Sequence, residues 1–121
     1  MDNINNLTDS LLLPGERIKS KVTGTFELDE GTGIRYMNGS LIATDIRLIW
    51  FSKYPFGQKE TIIYKYVDLN HVDITQSSLT FHNGITIKGK WIGNGDMEQF
   101  LDTIKFFSLY RLIDKARKRF D

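Results

Sequence analysis

The sequence predicts a mainly β domain closed by one long C-terminal helix. Three observations carry that expectation. From Arg17 to Trp91, apolar and polar residues alternate with period two. That alternation is broken by clusters such as Asp29-Glu30-Gly31-Thr32-Gly33, Tyr54-Pro55-Phe56-Gly57 and Asn83-Gly84, all rich in turn formers. After Gly93-Asn94-Gly95 the period becomes helical, and neither proline nor glycine interrupts residues 96–121. About seven strands followed by one helix imply a helix-capped β fold. A chain of 121 residues makes one domain of it.

Each element can be justified in order. In residues 1–13, Leu7, Leu11 and Leu12 fall at helical spacing and predict a short N-terminal helix, ended by Pro14-Gly15. Ile18, Val22, Gly24, Phe26 and Leu28 then alternate with Arg17, Lys19, Lys21, Thr23, Thr25 and Glu27. This is a half-buried strand with one basic and polar face. From Gly39 to Ser52 comes a second β region, reversed at Thr44-Asp45, where Asp45 is expected to bond its own backbone. Ile46–Phe51 is apolar on both faces, as a central strand would be. Lys59–Tyr66 is β-branched and aromatic, and Val72, Ile74 and Gln76 predict a shorter strand. Leu79–Ile87 reads as a hairpin, with Asn83-Gly84 in a type I′ turn and Leu79 and Phe81 in phase with Ile85, Ile87, Gly89 and Trp91. In the final helix, Met97, Phe100, Leu101, Ile104 and Phe107 or Ser108 form one stripe that continues to Leu112 and Ala116. Asn94 or Gly95 is the expected cap. Asp96 and Glu98 open the helix and Lys115, Arg117, Lys118 and Arg119 close it, both with the sign the helix dipole favours.

The segments Leu13-Pro14-Gly15-Glu16, Gly39-Ser40-Leu41-Ile42-Ala43-Thr44-Asp45, Arg47-Leu48-Ile49-Trp50-Phe51 and Phe56-Gly57 resemble the short bacterial pleckstrin-homology-like domains. That YokE-like group is related in fold to GRAM domains. Tyr64–Leu69 and the helix from Met97 add to the likeness, and the Thr-Asp-x-Arg block is its most specific piece. The resemblance implies a β-barrel of two near-orthogonal antiparallel sheets, its opening plugged by Met97, Phe100, Leu101 and Ile104. It also implies a core of Ile18, Val22, Leu41, Leu48, Trp50, Ile62, Val72, Phe81, Ile85 and Ile87. The expected organisation is an N-terminal segment 1–13, a domain 14–106, and a helix extension 107–121 that the resemblance does not explain.

Composition narrows function by exclusion. No cysteine is present, which removes disulfides, thiolate metal sites and thiol nucleophiles. The net charge of +1 supplies no field toward nucleic acid, so nucleic acid is not an expected partner. The polar, acidic N-terminus and the absence of a long apolar run lead to a cytoplasmic expectation. His71 and His82 lack any catalytic context, and His82 is expected as an exposed hairpin residue. No cofactor, metal or catalytic set is expected.

Two surfaces carry the functional expectations. Ile104, Phe106, Phe107, Leu109, Tyr110, Leu112 and Ile113 make the helix apolar around more than one stripe. Phe106, Phe107, Leu109, Tyr110 and Ile113 are therefore the candidate contacts to a protein partner or a second copy. The alternative is peripheral binding to an anionic membrane. It would use Lys53, Tyr54, Phe56 and Lys59 of the 53–59 loop and the basic tip Lys115, Arg117, Lys118 and Arg119. Against it, loop aromatics commonly fold back on a small core, which is the expectation for Phe56. The first strand–strand loop carries Glu27, Asp29 and Glu30, which would repel the phosphates that such domains bind there.

Overall fold

The computed structural model describes residues 11–120, and among these the side chains of 53, 55, 111, 112 and 114–120 lie outside the described set. Seven strands run in order: β1 (Ile18–Asp29), β2 (Ile34–Thr44), β3 (Arg47–Lys53), β4 (Lys59–Lys65), β5 (Leu69–Asp73), β6 (Ser78–Phe81) and β7 (Thr86–Asn94). Helix α1 (Met97–Phe120) follows. All pairings are antiparallel, in the order β4-β3-β2-β1-β7-β6-β5. This is one continuous curled sheet rather than two separate ones. Its long strand β1 joins the β2–β4 half to the β5–β7 half.

The curl is measurable in side chains. Tyr64 of β4 stacks on Phe81 of β6 with ring centroids 4.6 Å apart, although four strands separate them in the sheet order. Inside the curl sit Val22, Phe26, Leu41, Leu48, Trp50, Leu79, Phe81 and Ile87, all buried. Ile62, Val72 and Ile85 pack against them from the margin. Met97, Phe100, Leu101 and Ile104 of α1 fill the opening as expected, and the last three are fully buried. Each such side chain contributes about 1.5–3 kcal/mol of transfer free energy. The central strand is buried on both faces, as its sequence implies. Ile42, Ile49 and Phe51 form a second cluster on the outer side, with Leu11 and Leu12 against it.

Local details depart from the alternation wherever the ladder slips. A register shift between Ile18 and Ser20 leaves Ile18 exposed, outside the core it was expected to join. A second shift, where Phe26 faces Gly89 but Thr25 faces Trp91, reverses the parity of β7. Ile92 then packs on the core and Trp91 points outward, 68% exposed. An extra residue in one strand does this because side chains alternate strictly.

The turns also differ from expectation. In the β6–β7 turn only Gly84 has a positive φ (92°), so it is not type I′. Gly84 N donates to Phe81 O and Phe81 N to Ile85 O, which makes a three-residue loop with a glycine bulge. Ile74–Gln76 does not extend β5. Ser77 N donates to Ile74 O, and the Asp73 carboxylate accepts from Gln76 N, so these residues turn instead. Helix α1 is capped by Asp96, whose Oδ1 accepts from Gln99 N at 3.1 Å, not by Asn94 or Gly95. The expected helix in residues 1–13 falls mostly outside the described residues.

One buried polar cluster locks the start of the domain to the sheet. The Glu16 side chain is completely buried. Arg47 Nε donates to Glu16 Oε2 at 2.9 Å and Arg47 Nη2 to Oε1 at 3.0 Å, a bidentate pair. Thr44 Oγ1 donates to Oε2 at 2.6 Å, Leu13 N donates to Oε1 at 2.8 Å, and Arg47 Nη2 also donates to Leu11 O. Thr44 Oγ1 in turn accepts from the amides of Ile46 and Arg47. The β2–β3 reversal is therefore held by Thr44, whereas the Asp45 carboxylate accepts from Arg17 N.

Burial alone would raise the Glu16 carboxyl, but the hydrogen bonds from Arg47, Thr44 and the Leu13 amide, with the Arg47 charge, hold it below its ordinary 4.5. A carboxyl lowered in the folded state stabilises it above pH 4.5, and that contribution is lost as pH falls through the lowered value. Glu16→Gln should cost about 3 kcal/mol in urea unfolding, because Arg47 is left largely buried and unpaired. The variant should also lose stability less steeply than the parent below pH 4.5. Equal slopes would show that Glu16 does not set the acid limb.

Candidate functional site

Helix α1 presents two different faces. At about 100° per residue, Met97, Phe100, Leu101, Ile104 and Ser108 fall on one side, which enters the core. Phe106, Leu109, Tyr110 and Ile113 fall on the opposite side at i, i+3, i+4 and i+7, and each is more than half exposed. Of the five residues proposed for partner contact, Phe107 alone belongs elsewhere. It is half-buried, packs on the main core and stacks on Tyr66 with centroids 6.0 Å apart. It also meets the Phe106 ring edge to face. Ser108 Oγ donates to Tyr66 O at 3.3 Å.

The 53–59 loop joins β3 to β4. Tyr54 N donates to Gln58 O, and Tyr54 OH donates to Glu60 Oε1 at 3.0 Å. Phe56 does not fold back: it is fully exposed, and its φ of 69° is a left-handed value that favours glycine. Lys59 is exposed. The Lys53 side chain, and those of Lys115, Arg117, Lys118 and Arg119, lie outside the described set.

The β1–β2 loop is acidic in space as in sequence. Asp29 accepts from Gly31 N, and Glu30 lies 3.4 Å from Arg35, with both side chains exposed. Burial pushes the Tyr64 phenol above its ordinary 10.0, and the nearby Glu30 and Glu60 charges push it further. An anionic headgroup would meet repulsion at this end.

Beside α1 runs a groove of about 290 Å³ lined by Leu69, Asn70, His71, Val72, Lys105, Ser108 and Leu109. No carboxylate lines it. His71 on β5 and His82 in the β6–β7 turn are both exposed, and His82 lines a second groove with Asp68 and Tyr64. Among the described residues, no three His, Asp or Glu side chains converge to hold a metal ion. No described helix is long and apolar enough to cross a membrane. Sequence reasoning missed the outward Trp91, because the bulge that turns it has no local signature in the alternation.

The two phenylalanines of α1 separate surface from core. Phe107→Ala should lower stability by about 1–3 kcal/mol, and Phe106→Ala by no more than about 0.5 kcal/mol. Thermal unfolding of the two variants side by side checks the assignment, and equal losses would contradict it.

The model of the family described as "Bacterial PH domain" matches residues 12–105. No curated protein matches the chain. Six solved chains match it in structure. One is described as "Vps36 N-terminal PH domain", with a TM-score of 0.63 and 17% sequence identity over 85% of this chain and 86% of that one.

Proposed function

The chain belongs to the bacterial PH domain family, and from that premise we propose that it is a non-catalytic module that binds a protein surface through the outward stripe of α1. The observation that carries this reading is the stripe itself. Phe106, Leu109, Tyr110 and Ile113 are large, exposed and aligned, on the side of the helix that the core does not use. Contiguous apolar surface of this kind costs free energy in water and is relieved by a partner. On this reading residues 14–105 are the scaffold, and the outward face of α1 from Phe106 onward carries the contact. A photo-crosslinking residue at position 109, in cells of the source organism, should yield a polypeptide adduct. A silent result at positions 109, 110 and 113 would remove the reading.

A second reading is favoured by one observation, the full exposure of Phe56 on a left-handed backbone. A strained loop that holds an aromatic ring in water suits insertion at a membrane interface, with Tyr54 and Lys59 beside it and Lys53 and the basic tip adding charge. Co-sedimentation with vesicles rich in anionic lipid should then fall at least fivefold in Phe56→Ser. Binding that the substitution leaves unchanged would sink this reading.

A further inference from the structure

We propose that the occupant of the outward stripe is a second copy of this chain, its α1 lying antiparallel along the first, with the two-fold axis between Leu109 and Tyr110. This rests on the protein-binding reading above and names the partner.

The first argument is spacing. Exposed apolar residues at i, i+3, i+4 and i+7 form the seam by which one helix packs on another. Leu109, Tyr110 and Ile113 lie opposite the face that carries the sheet, while Asp102 and Phe106 border a shallow groove shared with Lys19 of β1.

The second argument is charge. In an antiparallel pair about that axis, Phe106 lies across from Ile113 of the second copy, and Leu109 across from its Tyr110. One turn beyond the seam at each end, position 102 lies across from position 117. The residues there are Asp102 and Arg117. Every end of the contact therefore brings opposite charges together. A parallel pair would bring Asp102 to Asp102 and Arg117 to Arg117. The rest of the helix has the same polarity: Asp96 and Glu98 stand at its start, Lys115, Lys118 and Arg119 at its end. Antiparallel pairing also opposes the two helix dipoles. A seam that is complementary to its own reverse fits an isologous contact. The stretch from 102 to 117 is about 24 Å long at 1.5 Å per residue, so the interface is small and the dimer is expected to dissociate at about micromolar concentration.

Light scattering and sedimentation of the full chain, over a wide concentration range, test the proposal. The expected result is a monomer–dimer equilibrium that persists in high salt. Leu109→Glu and Ile113→Glu should abolish the dimer, with the thermal midpoint measured in parallel to show that the fold is intact. Asp102→Arg and Arg117→Asp should each weaken it by about tenfold, since two such contacts occur per dimer. The double charge swap should restore it. A monomer at every concentration, a dimer indifferent to Leu109→Glu and Ile113→Glu, or a double swap weaker than either single variant would overturn the proposal. A monomer whose position 109 still crosslinks to a different polypeptide would overturn the second copy and spare the protein-binding reading. With no polypeptide adduct and no dimer, both fall.

Discussion

The fold is organised around the ion pair between Glu16 and Arg47. A buried carboxylate is costly unless every lone pair is answered, and here Arg47, Thr44 and the Leu13 amide answer them. Because Arg47 opens β3 and Thr44 closes β2, the cluster holds the tightest reversal of the sheet. Because Glu16 follows the Leu13–Glu16 turn and precedes β1, the same cluster sets where the chain enters the sheet. Leu11 and Leu12 are thereby brought against Ile42, Ile49 and Phe51, covering an apolar patch on the outer face of the central strands.

Helix α1 shows how one element can serve two purposes along its length. Its first three turns complete the core, and their free energy belongs to folding. Contact with the domain persists to Phe107 and Ser108, which meet Tyr66. The outward face begins at Phe106, so the two functions overlap by a turn. A binding event at Leu109 and Tyr110 would thus act on a helix already anchored at Phe100, Leu101 and Ile104. Little ordering entropy would then remain to oppose it.

The polar surface divides between two grooves and one acidic loop. The groove beside α1 offers His71 and Lys105, and a second groove sets His82, in the β6–β7 turn, near Asp68 and Tyr64. The β1–β2 loop is acidic, with Glu30 beside Arg35. Its exposed apolar groups include the helix stripe, Phe56 at a loop tip, and Ile34, Tyr36 and Trp91 on the sheet.

Much of this was legible in the sequence, and the reasons it was or was not are physical. Alternation with period two, then with period 3.6, determined seven strands and a capping helix, because burial on one face imposes those periods. The same logic identified Phe100, Leu101 and Ile104 as core and Phe106, Phe107, Leu109, Tyr110 and Ile113 as surplus apolar surface. Tertiary structure decided whatever depends on register and on distant partners. Two bulges moved Ile18 and Trp91 out of the core, since one extra residue reverses a strand's faces. Phe107 went to the core because Tyr66 lies beneath it, which helical spacing alone leaves open. Glu16 and Arg47 stand far apart in the chain, and each reads as an ordinary surface charge. Only the folded sheet, by excluding water from Glu16, makes them the pair that holds it together.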